Sequence, residues 1–97
     1  MTTKQRAYLK GLAMNLEPIF QLGKNSITPE FVKGIGEAID KKELIKISVL
    51  KNCIDDPKEL AGIIAERTQS QVVQVIGKKI VLYKEGKDKN KRIELPR

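Results

Sequence analysis

The stretch Pro18-Ile19-Phe20-Gln21-Leu22-Gly23-Lys24-Asn25-Ser26-Ile27-Thr28-Pro29 decides how this chain folds. Ile19 to Leu22 is a short apolar-rich run that reads as a strand and stops at Gly23. Gly23, Lys24, Asn25 and Ser26 form a four-residue polar turn. Thr28 and Pro29 then open a helix. The threonine hydroxyl accepts an orphan N–H at the cap, and proline suits the first helical position because it has no N–H to lose. Phe31, Val32, Ile35, Ala38 and Ile39 follow on one helical face. Gly34 and Gly36 each weaken that helix by about 1 kcal/mol relative to alanine, so packing must hold it.

Upstream, Leu9, Leu12, Ala13 and Leu16 fall at helical spacing between Thr3 and Leu16. Thr2 and Gln5 have the spacing of a capping box, and Pro18 enforces a stop. Downstream, Leu44 to Leu50 alternates Ile45, Ile47 and Val49 against Lys46 and Ser48, the pattern of a strand whose polar side faces solvent. Asp56, Pro57 and Glu59 start a third helix with Leu60, Ala61, Ile64 and Ala65 on one face, ending near Thr68. Val72 to Ile76 and Ile80 to Tyr83 are two strands joined by a turn around Gly77, Lys78 and Lys79.

The expected fold is thus an α/β domain of order α-β-α-β-α-β-β. It is a two-layer arrangement in which helices pack on a mixed four-stranded sheet and the last two strands form an antiparallel hairpin. Residues 1–85 make this domain. Residues 86–97 read as a basic, mobile tail, because Gly86 to Arg92 holds four basic residues, one acid and nothing apolar. Ile93 and Leu95 are its candidates for weak docking.

Composition removes several functions. The chain of 97 residues contains no histidine and one cysteine, so the commonest general base and any Cys/His zinc site are absent. Cys53 is expected as a small buried side chain. Asp55 and Asp56 could supply carboxylates to an enzyme, but their position before Pro57 is that of a helix cap. No 18-residue apolar stretch and no leader-like segment occur, which points to a cytoplasmic, reducing location without membrane association. No enzyme activity, cofactor, metal or small-molecule substrate is expected.

Charge points to a partner. Lys and Arg number 19 against 12 Asp and Glu, a net +7. Residues 1–46 carry +3, residues 47–77 carry −1 and residues 78–97 carry +5. A surplus of this size in a small domain suits a polyanion. Phe20 and Phe31 sit on apolar faces, and only Tyr8 and Tyr83 remain as partly exposed aromatics, so the base-stacking strands of an RRM are missing. Zinc fingers, basic heptads and a clear helix-turn-helix are missing too. Backbone and shape recognition of structured RNA fits better. The turn at Gly23 gives it a location, since N–H groups leading into the positive end of a helix can meet a phosphate, with Lys24 adding charge and Asn25 a hydrogen bond. Arg6 and Lys10, one turn apart on the first helix, and the Lys78, Lys79 turn could join this surface.

The run Pro18 to Asn25, then Leu44-Ile45-Lys46, Val73-Gln74-Val75-Ile76-Gly77 and Val81-Leu82-Tyr83-Lys84, resembles the CRM domain and, more closely, the stand-alone bacterial YhbY-type proteins. The similarity runs from Lys4 to Tyr83. It implies a fold like the C-terminal domain of translation initiation factor 3, RNA binding, and association with rRNA in precursors of the large ribosomal subunit. The family's GxxG loop, analogous to the backbone clamp of KH domains, maps to Gly23-Lys24-Asn25-Ser26. Ser26 replaces the second glycine. Lys84 stands where the family usually has arginine, which removes a bidentate phosphate contact. The expected RNA-contacting set is therefore Gly23, Lys24, Asn25, Ser26, Arg6, Lys10, Lys78, Lys79 and Lys84. The competing expectation is a protein-binding adaptor that uses the exposed side of the sheet.

Overall fold

The computed structural model describes residues 1–86 and 92–96. Seven elements follow in order: α1 (Thr3–Ala13), β1 (Phe20–Leu22), α2 (Pro29–Lys42), β2 (Leu44–Val49), α3 (Pro57–Thr68), β3 (Gln71–Ile76) and β4 (Lys79–Tyr83). This is the expected order. The capping box at Thr2 and Gln5 is formed in both directions. Thr28 accepts the Phe31 N–H at the start of α2, and Asp56 accepts the Lys58 N–H at the start of α3. Asp56 is a cap, as its place before Pro57 indicates.

The helix α1 ends at Ala13, short of Leu16. Met14 N–H shares the Lys10 and Gly11 carbonyls, and Leu16 N–H bonds to Ala13, so the last turn tightens before Pro18 is reached. Leu16 still packs beside the helix, while Leu12 lies on its exposed rim.

The sheet order is β1-β2-β4-β3. β1 and β2 run parallel through the α2 crossover, whereas β2–β4 and β3–β4 are antiparallel. Side chains alternate across the sheet and build two apolar clusters. Leu22, Ile45, Ile47, Val49, Ile80 and Leu82 face α2 and α3; Leu44, Val73, Val81 and Tyr83 face α1 through Leu9 and Ala13. The layering is therefore three rather than two, with α1 alone on one side. Helical periodicity shows that α1 has an apolar face but not which side of the sheet receives it.

This arrangement also corrects the reading of β2. Its second side does not simply face solvent: Ser48 is buried and accepts a bond from Lys79 Nζ at 2.8 Å, and Lys46 is half-buried. Tyr83, expected as partly exposed, is buried against α1. Cys53 is half-buried at the edge of the larger cluster, where Phe20 and Phe31 meet edge to face at 5.7 Å.

Of the expected tail, residues 87–91 and 97 lie outside the described residues. Arg92 to Pro96 turn back onto the domain. Buried Glu43 accepts the Ile93 N–H at 2.7 Å, Arg92 bonds the Gly86 carbonyl at 2.6 Å and pairs with Glu85, and Ile93 and Leu95 pack on the α1 cluster.

Candidate nucleic-acid interface

The sheet topology brings three turns to one edge. Parallel β1 and β2 finish side by side, with Leu22 opposite Val49. Antiparallel β4 begins there, with Lys79 opposite Ser48, and β3 ends there, with Ile76 opposite Lys79. Backbone bonds tie the turns together: Leu50 N–H to the Leu22 carbonyl at 2.8 Å and Val49 N–H to the Lys78 carbonyl at 2.7 Å. Lys24 thus shares one edge with the adjacent Lys78 and Lys79, 54 and 55 residues further along the chain.

Within the first turn, Ser26 N–H bonds the Gly23 carbonyl at 3.0 Å, and Ser26 has φ +52°. A side chain there costs roughly 1–2 kcal/mol in the left-handed region. Gly23 lies against the Asn52 side-chain amide and Leu50, so the turns 23–26 and 50–53 form one packed unit. Among the described residues, no protein acceptor takes the Lys24 or Asn25 N–H. The N-terminus of α2 is less available than the sequence implies, because Thr28 takes the Phe31 N–H and Glu30 already answers the helix dipole.

On the α1 side of the sheet, this edge runs into an open groove. Alternation from the buried strand positions puts Lys46, Ser48, Gln74, Ile76 and Lys79 on the same face as Val81. α1 covers only part of that face. The uncovered remainder and the C-terminal half of α1 enclose about 190 Å³, with Lys10, Lys46 and Lys79 around a floor that includes Ala13 and Val81. No carboxylate lines it. Among the described residues no carboxylate pairs with Lys10, Lys24, Lys46 or Lys78.

Two expected contacts are occupied elsewhere. Arg6 Nη1 donates to the Val72 carbonyl at 2.6 Å and the Val73 carbonyl at 3.1 Å. These lie at the bulge where β3 slips register between Val72 and Gln74, and Arg6 meets carbonyls that the ladder leaves there. Lys84 sits at the opposite end of the sheet, since Leu44 pairs with Tyr83, and its ammonium is 2.9 Å from Asp40. Lys24, Lys78 and Lys79 lie in turns at the same edge, and Lys10 lines the groove with Lys79; Arg6 is spent on the fold, and Lys84 lies apart.

Sequence reading missed Lys46 and Gln74. The signal for Lys46 was available in the β2 alternation, which sets it on the side away from Ile45 and Ile47. Gln74 was hidden by the bulge, which shifts the inside-outside alternation of β3. No group of three or more His, Cys, Asp or Glu is placed to hold a metal among the described residues, and none of their helices is long and apolar enough to cross a membrane.

The CRS1/YhbY (CRM) domain matches residues 1–84. The chain belongs to this family. It is 48% identical over 96 residues to the Bacillus subtilis protein named "Probable RNA-binding protein YqeI", covering 99% of each chain. A Haemophilus influenzae protein named "RNA-binding protein" is 35% identical over 97 residues, covering 100% of this chain and 96% of its own. The solution structure of SAV1595 from Staphylococcus aureus superimposes with a TM-score of 0.83 at 51% identity, covering 99% of both chains. The CRM domain in this chain is thus an α/β domain whose basic turns meet at one sheet edge.

Proposed function

We propose that this CRM protein binds RNA without catalysing a reaction on it, and that its target is large-subunit rRNA within a ribosomal precursor particle. The observation that carries the reading is the placement of Lys24, Lys78 and Lys79 in turns at one edge, with Lys79 also lining the groove beside Lys10 and Lys46. Ammonium groups without carboxylate partners are suited to phosphates, and unoccupied N–H groups at Lys24 and Asn25 add directed donors. Family membership and the RNA-binding names of two relatives support the same class of ligand. The ribosomal target rests on the resemblance to YhbY-type proteins.

The groove is also the open sheet face that a protein-binding adaptor would use. Its lysine rim favours a polyanion over an apolar protein segment. Changing Lys24, Lys78 and Lys79 together to Glu tests the reading: these side chains are exposed or edge-lying, so the fold should persist while co-sedimentation with large-subunit precursors is lost. Unchanged co-sedimentation, or capture that survives nuclease treatment, would reject the RNA surface.

A further inference from the structure

We propose that the groove between α1 and the β2-β4-β3 face receives one unpaired base of the bound RNA, making this protein a reader of a bulged or looped-out nucleotide beside a helix. The inference rests on the RNA-binding reading and adds a specificity to it.

Size comes first. A cavity of roughly 150 Å³ holds one benzene ring. The 190 Å³ of this groove is on the scale of a single planar heterocycle. The walls also fit. Met14 is 80% exposed and Ile76 is 59% exposed, two large apolar side chains at the groove that the core does not use. Isolated exposed apolar residues need no explanation, but two lining one cavity over the Ala13 and Val81 floor give both faces of a ring something to touch. A methionine thioether makes favourable contacts with aromatic rings and adapts to their shape.

The polar groups complete the match. The half-buried Gln74 side-chain amide has donors and an acceptor for a base edge, as Asn and Gln provide elsewhere. Lys10, Lys46 and Lys79 surround the same space without a carboxylate, so a sugar-phosphate entering with the base meets only positive charge. Lys79 Nζ is already fixed on Ser48 Oγ and retains other protons to donate. Lys79 also adjoins the turn that carries Lys78, so a strand held at that turn lies next to the groove.

The test compares two RNA hairpins, one fully paired and one with a single bulged nucleotide replaced by a fluorescent purine analogue. The native chain should bind the bulged hairpin about tenfold more tightly and change the analogue's emission. The double variant Met14→Ala, Ile76→Ala trims two largely exposed side chains that are not part of either apolar cluster. It should bind the paired hairpin as the native chain does, lose the preference for the bulge to within twofold, and leave the emission unchanged. Equal affinity of the native chain for both hairpins, or a full preference retained by the variant, would overturn the groove assignment while leaving RNA binding in place. Failure to bind either hairpin would overturn the RNA-binding reading and this inference with it.

Discussion

Replacing Arg6 by Met and, separately, Lys46 by Ala should separate two kinds of positive charge that look alike in the sequence. Arg6 makes two hydrogen bonds to the carbonyls at the β3 bulge, at 2.6 and 3.1 Å, from a half-buried position. A bond from a charged donor contributes about 1.5–3 kcal/mol, and partial exposure argues for the low end of that range. The methionine keeps most of the stem packing but removes both bonds, leaving two carbonyls poorly satisfied, so we expect a loss of about 2–3 kcal/mol. For a domain of this length that corresponds to a fall of roughly 10–20 °C in Tm.

Lys46 has no carboxylate partner among the described residues, and its loss should move stability by no more than about 0.5 kcal/mol. Its effect belongs in the salt dependence of RNA binding. With Lys10, Lys24, Lys46, Lys78 and Lys79 as contacts, the log-log slope should be roughly −3.5 on a single strand, at about −0.7 per phosphate. Lys46→Ala should make it shallower by about 0.7, and Arg6→Met should leave it unchanged among folded molecules. Urea unfolding followed by circular dichroism, with fluorescence anisotropy across a salt series, measures both quantities. Native stability in Arg6→Met together with a shallower salt slope would refute the assignment of Arg6 to the bulge.

Three further outcomes follow from local geometry. Ser26→Gly should be nearly neutral in urea unfolding, because relief of roughly 1 kcal/mol at φ +52° is offset by about the same gain in unfolded-chain entropy, whereas Ser26→Val should lose roughly 1–2 kcal/mol. A loss above about 1 kcal/mol for Ser26→Gly would instead assign weight to the serine hydroxyl, 4.0 Å from Cys53 Sγ. In α2, Gly36→Ala should stabilise by about 1 kcal/mol since nothing lies within 4 Å of the added methyl, and Gly34→Ala should gain less because its methyl meets the Phe20 ring at 3.3 Å; equal Tm increases would contradict this. Burial, with Glu43 and Glu85 nearby and Arg92 opposing, holds the Tyr83 phenol above its ordinary value of 10.0. The folded state then binds more protons than the unfolded state, so this contribution is complete below pH about 10 and is lost as pH rises through the higher folded value. Tyr83→Phe should flatten that alkaline decline in stability, and an unchanged decline would place its origin elsewhere.

Elements and their order were legible because local signals agree with the fold: the Thr2–Gln5 box, Thr28-Pro29 and Asp56-Pro57 each start a helix. What the sequence could not give were relations across long separations. Arg6 and Lys10 read as equivalent flank residues of α1, yet one serves carbonyls 66 and 67 positions away and the other lines an open groove. Lys84 reads as a member of the basic C-terminal third, but its neighbour in space is Asp40. Lys46 and Ser48 read as a solvent-facing pair, and the pairing of β2 with β4 sets Lys79 across Ser48 instead. Period-two alternation identifies a face; only the topology says what lies on it.

The same topology turns a bulk charge into a direction. α1 carries Lys4, Arg6 and Lys10 and no acid. α2 has three basic and three acidic residues, and α3 has two of each, so the two helices on the other face of the sheet are neutral in sum. Lys46 and Lys79 add to the α1 side because their strand positions alternate away from the α2–α3 core. Charges kept only for solubility have no reason to balance on two helices and accumulate on the third. On the proposed reading, this one-sided surplus serves a polyanion met at the groove that Lys10, Lys46 and Lys79 line. The neutral middle of the sequence, residues 47–77, is therefore part of the same design: it supplies the helix α3 that covers the far face and leaves the near one to the lysines.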